Sequence, residues 1–116
     1  MTPLPILIES ISRAELASLA EEGFGDMVKA VVDVQREVTA IGSELHWDEG
    51  AALHEDGANK RGPWGINLYP AESGDAWIEF DSMINIRPKE GNRSRNVEDG
   101  GVRERIRSIV AHWVVG

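Results

Sequence analysis

Apolar and polar positions switch between helical and extended periods along this chain, and the switches mark out its elements. Residues 4–8, Leu-Pro-Ile-Leu-Ile, predict a short edge strand, where Pro5 is tolerated because an edge N–H needs no partner. Ser12 and Glu15 have capping-box spacing, Ile11 and Leu16 stand at staple positions, and Leu16, Leu19 and Ala20 supply a buried face. A helix over 13–22 follows, and Gly23 ends it in the manner of a C-terminal glycine. In 27–42, Met27, Val31, Val34, Val38 and Ile41 repeat at helical spacing, yet seven of the sixteen residues are Val, Ile or Thr. The β-branched content favours two strands, 27–34 and 37–42, joined near Gln35 and Arg36 and closed by Gly42, with a helix as the alternative.

Asp48 is expected to cap a short helix to about Glu55, which Asp56-Gly57 ends, and 57–63 read as a loop. Trp64–Tyr69 and Ala76–Asp81 predict strands separated by the turn-forming stretch around Glu72-Ser73-Gly74-Asp75. Residues 83–87 alternate and predict a further extended segment ending at Pro88, before a polar loop over 88–98. Asp99 caps the last helix, whose stripe is Val102, Ile106, Ile109, Val110 and Trp113. The sum is an α+β fold: a mostly antiparallel sheet of four to six strands, covered on one side by a single layer holding the first and last helices. No linker divides the chain, so 1–116 reads as one domain.

Composition sets bounds on this picture. A chain of 116 residues, 41% apolar and 28% charged, is of ordinary globular type and supports one core. No window has the roughly 18–20 apolar residues that span a bilayer, and no basic region with an apolar stretch opens the chain. The expectation is a cytoplasmic protein with no membrane partner. With no cysteine, disulfides, thiolate nucleophiles and thiolate metal sites are excluded. The net charge of −8 argues against a nucleic-acid partner. That charge is split: residues 1–86 carry 5 basic and 16 acidic side chains, whereas 87–116 carry 7 basic and 4 acidic ones.

Two polar constellations are candidates for chemistry. The first comprises Asp81, Asn85, Arg87, Asn92, Arg93 and Arg95. On an extended 83–87, Asn85 and Arg87 share a face, and a loop bearing Asn92, Arg93 and Arg95 can fold back beside them. Guanidinium forks and amide donors suit a carboxylate or phosphate, so Asn85, Arg87, Asn92, Arg93 and Arg95 are candidate ligands for a small anion. The competing reading is that they tie down an irregular loop, with Asp81 pairing one arginine. The second constellation is Glu44, His46 and Asp48, alternate residues that an extended segment would project together. They could hold a divalent metal or act as an acid/base pair, with Asp48 simply a helix cap in the plainer reading. Glu44, His46 and Asp81 are thus the candidate catalytic residues. No phosphate loop, nucleophile elbow or His-Glu-x-x-His run is present, and neither a metal nor an organic cofactor is expected.

The segments 25–33, 42–46, 64–70 and 80–88, with Gly91-Asn92-Arg93-Ser94-Arg95, resemble those of a family of small bacterial and archaeal proteins filed as a domain of unknown function. The resemblance runs over nearly the whole chain from about residue 12. It implies one full-length domain and carries no catalytic residues. Two functions therefore stay open. One is a small-molecule binder or enzyme with a pocket between 44–48 and 81–95, with His46 or Glu44 as base. The other is a non-enzymatic interaction module, homodimeric through sheet edges or the Trp-bearing last helix.

Overall fold

The β-branched residues of 27–42 prevail over their helical spacing, and a hairpin forms. In a computed structural model that describes residues 6–8, 10–59 and 61–115, β3 (Val28–Asp33) pairs antiparallel with β4 (Val38–Ile41), Asp33 opposite Val38. The turn is fixed by Asp33, whose Oδ1 accepts the N–H groups of Gln35 and Arg36. Glu37 adopts a left-handed φ of 59° there, and Trp113 Nε1 donates to its carbonyl. On the other side β3 pairs with β5 (Pro63–Leu68), Val31 opposite Gly65 and Lys29 opposite Asn67. The edges are β1 (Ile6–Ile8), beside β4, and β6 (Ile78–Glu79), beside β5; every pair in this five-stranded sheet is antiparallel. Positions 4 and 5 of the expected first strand lie outside the described residues.

Helix α1 (Arg13–Glu22) has the predicted bounds and cap: Ser12 Oγ accepts from Glu15 N–H at 3.1 Å, and Glu15 Oε1 accepts from Ser12 N–H at 3.3 Å. Gly23 ends it at φ −109°, and the left-handed glycine is Gly25 two residues on. Helix α3 (Gly100–Trp113) is capped by Asp99, whose Oδ1 accepts from Gly101 and Val102 N–H. Leu16 and Ala20 of α1 and Ile106, Ile109 and Val110 of α3 pack on one sheet face, against Val28, Ala30, Val32, Ile41, Ile66 and Leu68. A small parallel pair, β2 (Ile11–Ser12) with β7 (Val114–Val115), joins the outer ends of these helices. None of the described helices is long and apolar enough to cross a membrane.

The expected layer of first and last helix is thus present, and the opposite face carries α2 (His46–Glu55), whose Leu53 packs on Val31 and Ala40. Three local expectations are corrected. Helix α2 starts two residues before Asp48, which sits in its first turn; the residue before the helix is Leu45, with no side-chain cap. The strand expected over 76–81 shortens to β6, because Gly74–Ala76 forms a 3₁₀ turn. The segment expected to extend over 83–87 opens as a 3₁₀ turn, Met83–Asn85, since Ser82 Oγ accepts Ile84 N–H and caps it.

The cap of α1 gives a direct prediction. Ser12→Ala should destabilise the protein by about 1 kcal/mol, measured by urea denaturation, and an unchanged midpoint would remove the claim that this cap contributes.

Candidate functional site

Because β6 ends at Glu79, the outer edge of β5 has no backbone partner at Gly65, and a side chain takes that place. Asn85 is fully buried; its Oδ1 accepts Gly65 N–H at 2.8 Å while Nδ2 donates to Gly65 O and to Arg95 O, both at 2.9 Å. The amide thus pairs β5 as one residue of a strand would. Asn92, also buried, repeats the device inside the loop. Its Nδ2 donates to the carbonyls of Asn85, Ser94 and Asn96, and its Oδ1 accepts Glu98 N–H. Arg87 donates to the carbonyls of Ile84, Arg61 and Pro63, lies over the Trp64 ring and pairs with Glu90. Burial lowers its pKa, and the Glu90 carboxylate opposes that.

The outward face predicted for Asn85 and Arg87 is therefore absent. The 3₁₀ turn rotates Asn85 inward and leaves Ile86 exposed, the reverse of an extended segment, while Met83 is exposed as it would be on a strand. The donors of Asn85, Arg87 and Asn92 are taken by backbone carbonyls, which is the loop-tying reading. Arg93 is exposed, and its main-chain N–H donates to Glu98 Oε2. That oxygen also accepts from Ser94 N–H and Oγ, and the Ser94 hydroxyl is the main cause of the lowered Glu98 pKa. Arg95 is half exposed, and its Nε donates to Asp81 Oδ1, the pairing foreseen for Asp81.

The loop so fixed faces α2 across a cleft of about 430 Å³, which brings 44–48 and 81–95 together. Lys29 and Arg95 supply its cations, Leu45, Trp47, Met83 and Ile84 its apolar walls, and His46 and Ser82 line it as well. The close approach of Ser82 and His46 to β5 depends on Gly65: a Cβ there would lie 2.5 Å from Ser82 Cβ and 3.2 Å from His46 Cγ. As the first residue of α2, His46 points at the sheet, with Nε2 2.7 Å from Ile66 O. A carbonyl partner requires Nε2 to carry the proton. Burial lowers the His46 pKa, opposed first by that carbonyl, so the ring is neutral at pH 7 with Nδ1 unprotonated.

Helical geometry separates the second constellation. Asp48 Oδ2 accepts from Ser43 Oγ at the loop entering α2, and Glu44 lines a different cavity, with Phe24, Met27 and Gly42. Sequence reasoning missed Glu49, three residues after His46 and therefore on the same face of α2. It is fully buried; Oε2 accepts Ser43 N–H at 3.2 Å, and Oε1 has no partner among the described residues. Burial raises its pKa to about 9, against the lowering effects of Ser43 N–H and Lys29, so it is a neutral acid at pH 7. The signal was the spacing His46-Trp47-Asp48-Glu49, legible only once the helix is known to begin at His46. Among the described residues no three His, Cys, Asp or Glu side chains gather as metal ligands would.

A family model described as a protein of unknown function (DUF5674) matches residues 5–113. No curated protein and no solved structure matches the chain.

Two predictions follow from these contacts. Arg87→Ala should cost roughly 1–3 kcal/mol by leaving part-buried carbonyls unpaired, and in urea denaturation this loss should be present without any added anion; a substitution without effect on stability would free Arg87 for another role. Glu49 makes stability pH-dependent. Between pH 4.5 and about 9 the unfolded chain is ionised at this position while the folded chain keeps its proton, so stability falls as pH rises through that window. The slope is at most about 1.4 kcal/mol per pH unit. Glu49→Gln should flatten it, gaining on the wild type from pH 5 to pH 9, whereas parallel stability curves would place the carboxyl in a wetter site.

Proposed function

Since the chain belongs to the DUF5674 family, whose description states no activity, we propose a function from the geometry of its site: it binds a small organic anion in the cleft between α2 and the 82–95 loop. The observation that carries this reading is that Lys29 and Arg95 border one concavity, on apolar walls, in a chain of net charge −8. Asp81 engages Arg95 through Nε and so orients the guanidinium, the role we give that carboxylate in place of catalysis. Cations set against an apolar wall are held in a lower effective dielectric, which strengthens their attraction for an anion. His46 adds a neutral imidazole at the same cleft, suited to accept a hydrogen bond or a proton from a ligand hydroxyl at pH 7.

A second reading has its own support. Leu45, Trp47, Met83 and Ile86 are exposed around the cleft, Trp47 at 73% and Met83 at 66%, and apolar side chains grouped in this way also suit a protein partner. The version that places the interface on Trp113 is disfavoured, because that ring packs on the core and its Nε1 is bonded.

Thermal unfolding with acetate or phosphate, against chloride at matched ionic strength, separates specific binding from screening. We expect stabilisation by the first two, about 2.7 kcal/mol at a hundredfold excess over Kd, and its loss in Arg95→Ala and Lys29→Ala. Equal shifts in chloride that persist in both variants would defeat the reading and favour the interaction surface, which gel filtration and light scattering would then test as a dimer.

A further inference from the structure

We propose that the anion bound in this cleft is an alkyl carboxylate, and that its apolar chain lies in a groove along α2 above Gly50; this rests on the binding reading just given and specifies its ligand. A second concavity of about 310 Å³ adjoins the first, and Trp47, Met83 and Ile84 line both, so the two share a wall. Trp47, Gly50, Ala51 and His54 fall at i, i+3, i+4 and i+7 of α2 and form one side of the groove. Ile84, Ile86 and Pro63 stand among its other lining residues.

Gly50 is the informative residue. Inside a helix, glycine costs about 1 kcal/mol relative to alanine, and a helical glycine is commonly explained by a neighbour pressed against it. Here a Cβ would meet nothing within 4 Å. Packing does not require glycine at this position, and what its absent side chain supplies is depth in the groove. The exposure of Trp47 and Met83 points the same way, because large apolar side chains left in water gain by being covered. The charge distribution orients the occupant. The groove's lining cation, Arg87, is engaged by the carbonyls of Ile84, Arg61 and Pro63 and by Glu90, whereas Lys29 and Arg95 line the first cleft and not the groove, so the head group sits between those two and the chain passes Trp47 and Met83 toward Gly50.

The test is isothermal titration of the full chain with acetate, butanoate, hexanoate and octanoate, with octylamine as the control of opposite charge. Burial of each methylene should tighten binding about fourfold until the groove is filled. Gly50→Leu, which the open space should accommodate without unfolding, should remove that gain while leaving acetate affinity unchanged. Joint replacement of Lys29 and Arg95 by alanine should weaken every carboxylate tenfold or more and leave the gain per methylene intact. Affinity independent of chain length, a gain that survives Gly50→Leu, or octylamine binding as tightly as octanoate would overturn the groove assignment. A double variant that binds as the wild type does would overturn the anion cleft instead, and no binding by any member of the series would overturn both.

Discussion

The backbone groups of Gly65 face outward from β5 beyond the end of β6, and unpaired in the interior they would cost several kcal/mol. Asn85 meets both with one amide, and the rest of the candidate site depends on that exchange. Its remaining donor hydrogen fixes Arg95 O, Ser82 N–H also reaches Arg95 O, and Asn92 closes the loop onto Asn85 O. Held in this way, the loop presents Ser82, Met83, Ile84 and Arg95 to α2 and makes a wall out of residues with no regular ladder of their own. Glycine at 65 completes the constraint, since any larger residue would push Ser82 and His46 off the strand.

Local signals made much of the fold legible. Ser12 with Glu15, Asp99 ahead of its apolar stripe and the β-branched run of 27–42 all specify structure through contacts a few residues apart, and each element formed where it was expected. The Met83–Asn85 turn was not legible in this way. Its alternation is a sound strand signal, but the pairing with β5 is made by the side chain of Asn85, inside the turn and twenty positions from Gly65, in place of a backbone ladder. The same limit applies to chemistry. Asn85, Arg87 and Asn92 were singled out because their donors suit an anion, and those donors suit a carbonyl equally well. Residue type cannot distinguish the two, because the choice depends on which carbonyls the loop brings within reach. Glu49 shows the converse: residue type alone drew no attention to it, and only the start of α2 at His46 places it on the buried face.

Electrostatics at the cleft are governed by burial more than by pairing. Burial drives His46 and Glu49 toward their neutral forms, so two groups that titrate apart in water are both uncharged at pH 7 in the folded chain. The charges left there are Lys29 and the half-exposed Arg95 with its Asp81 partner. Such a site presents positive charge at its rim and neutral polar groups beneath, the gradient on which the proposed anion binding rests.

Fastening this loop through side-chain amides concentrates its restraints in few residues. A β-ladder can fray from its end one pair at a time, whereas here single side chains each hold several points of the segment: loss of Asn85 frees both backbone groups of Gly65, and loss of Asn92 frees the carbonyls of Asn85, Ser94 and Asn96 together. Because Met83 and Ile84 line both cavities, the segment that these amides fasten is also a wall of the site, and the shape of both cavities depends on two asparagine side chains.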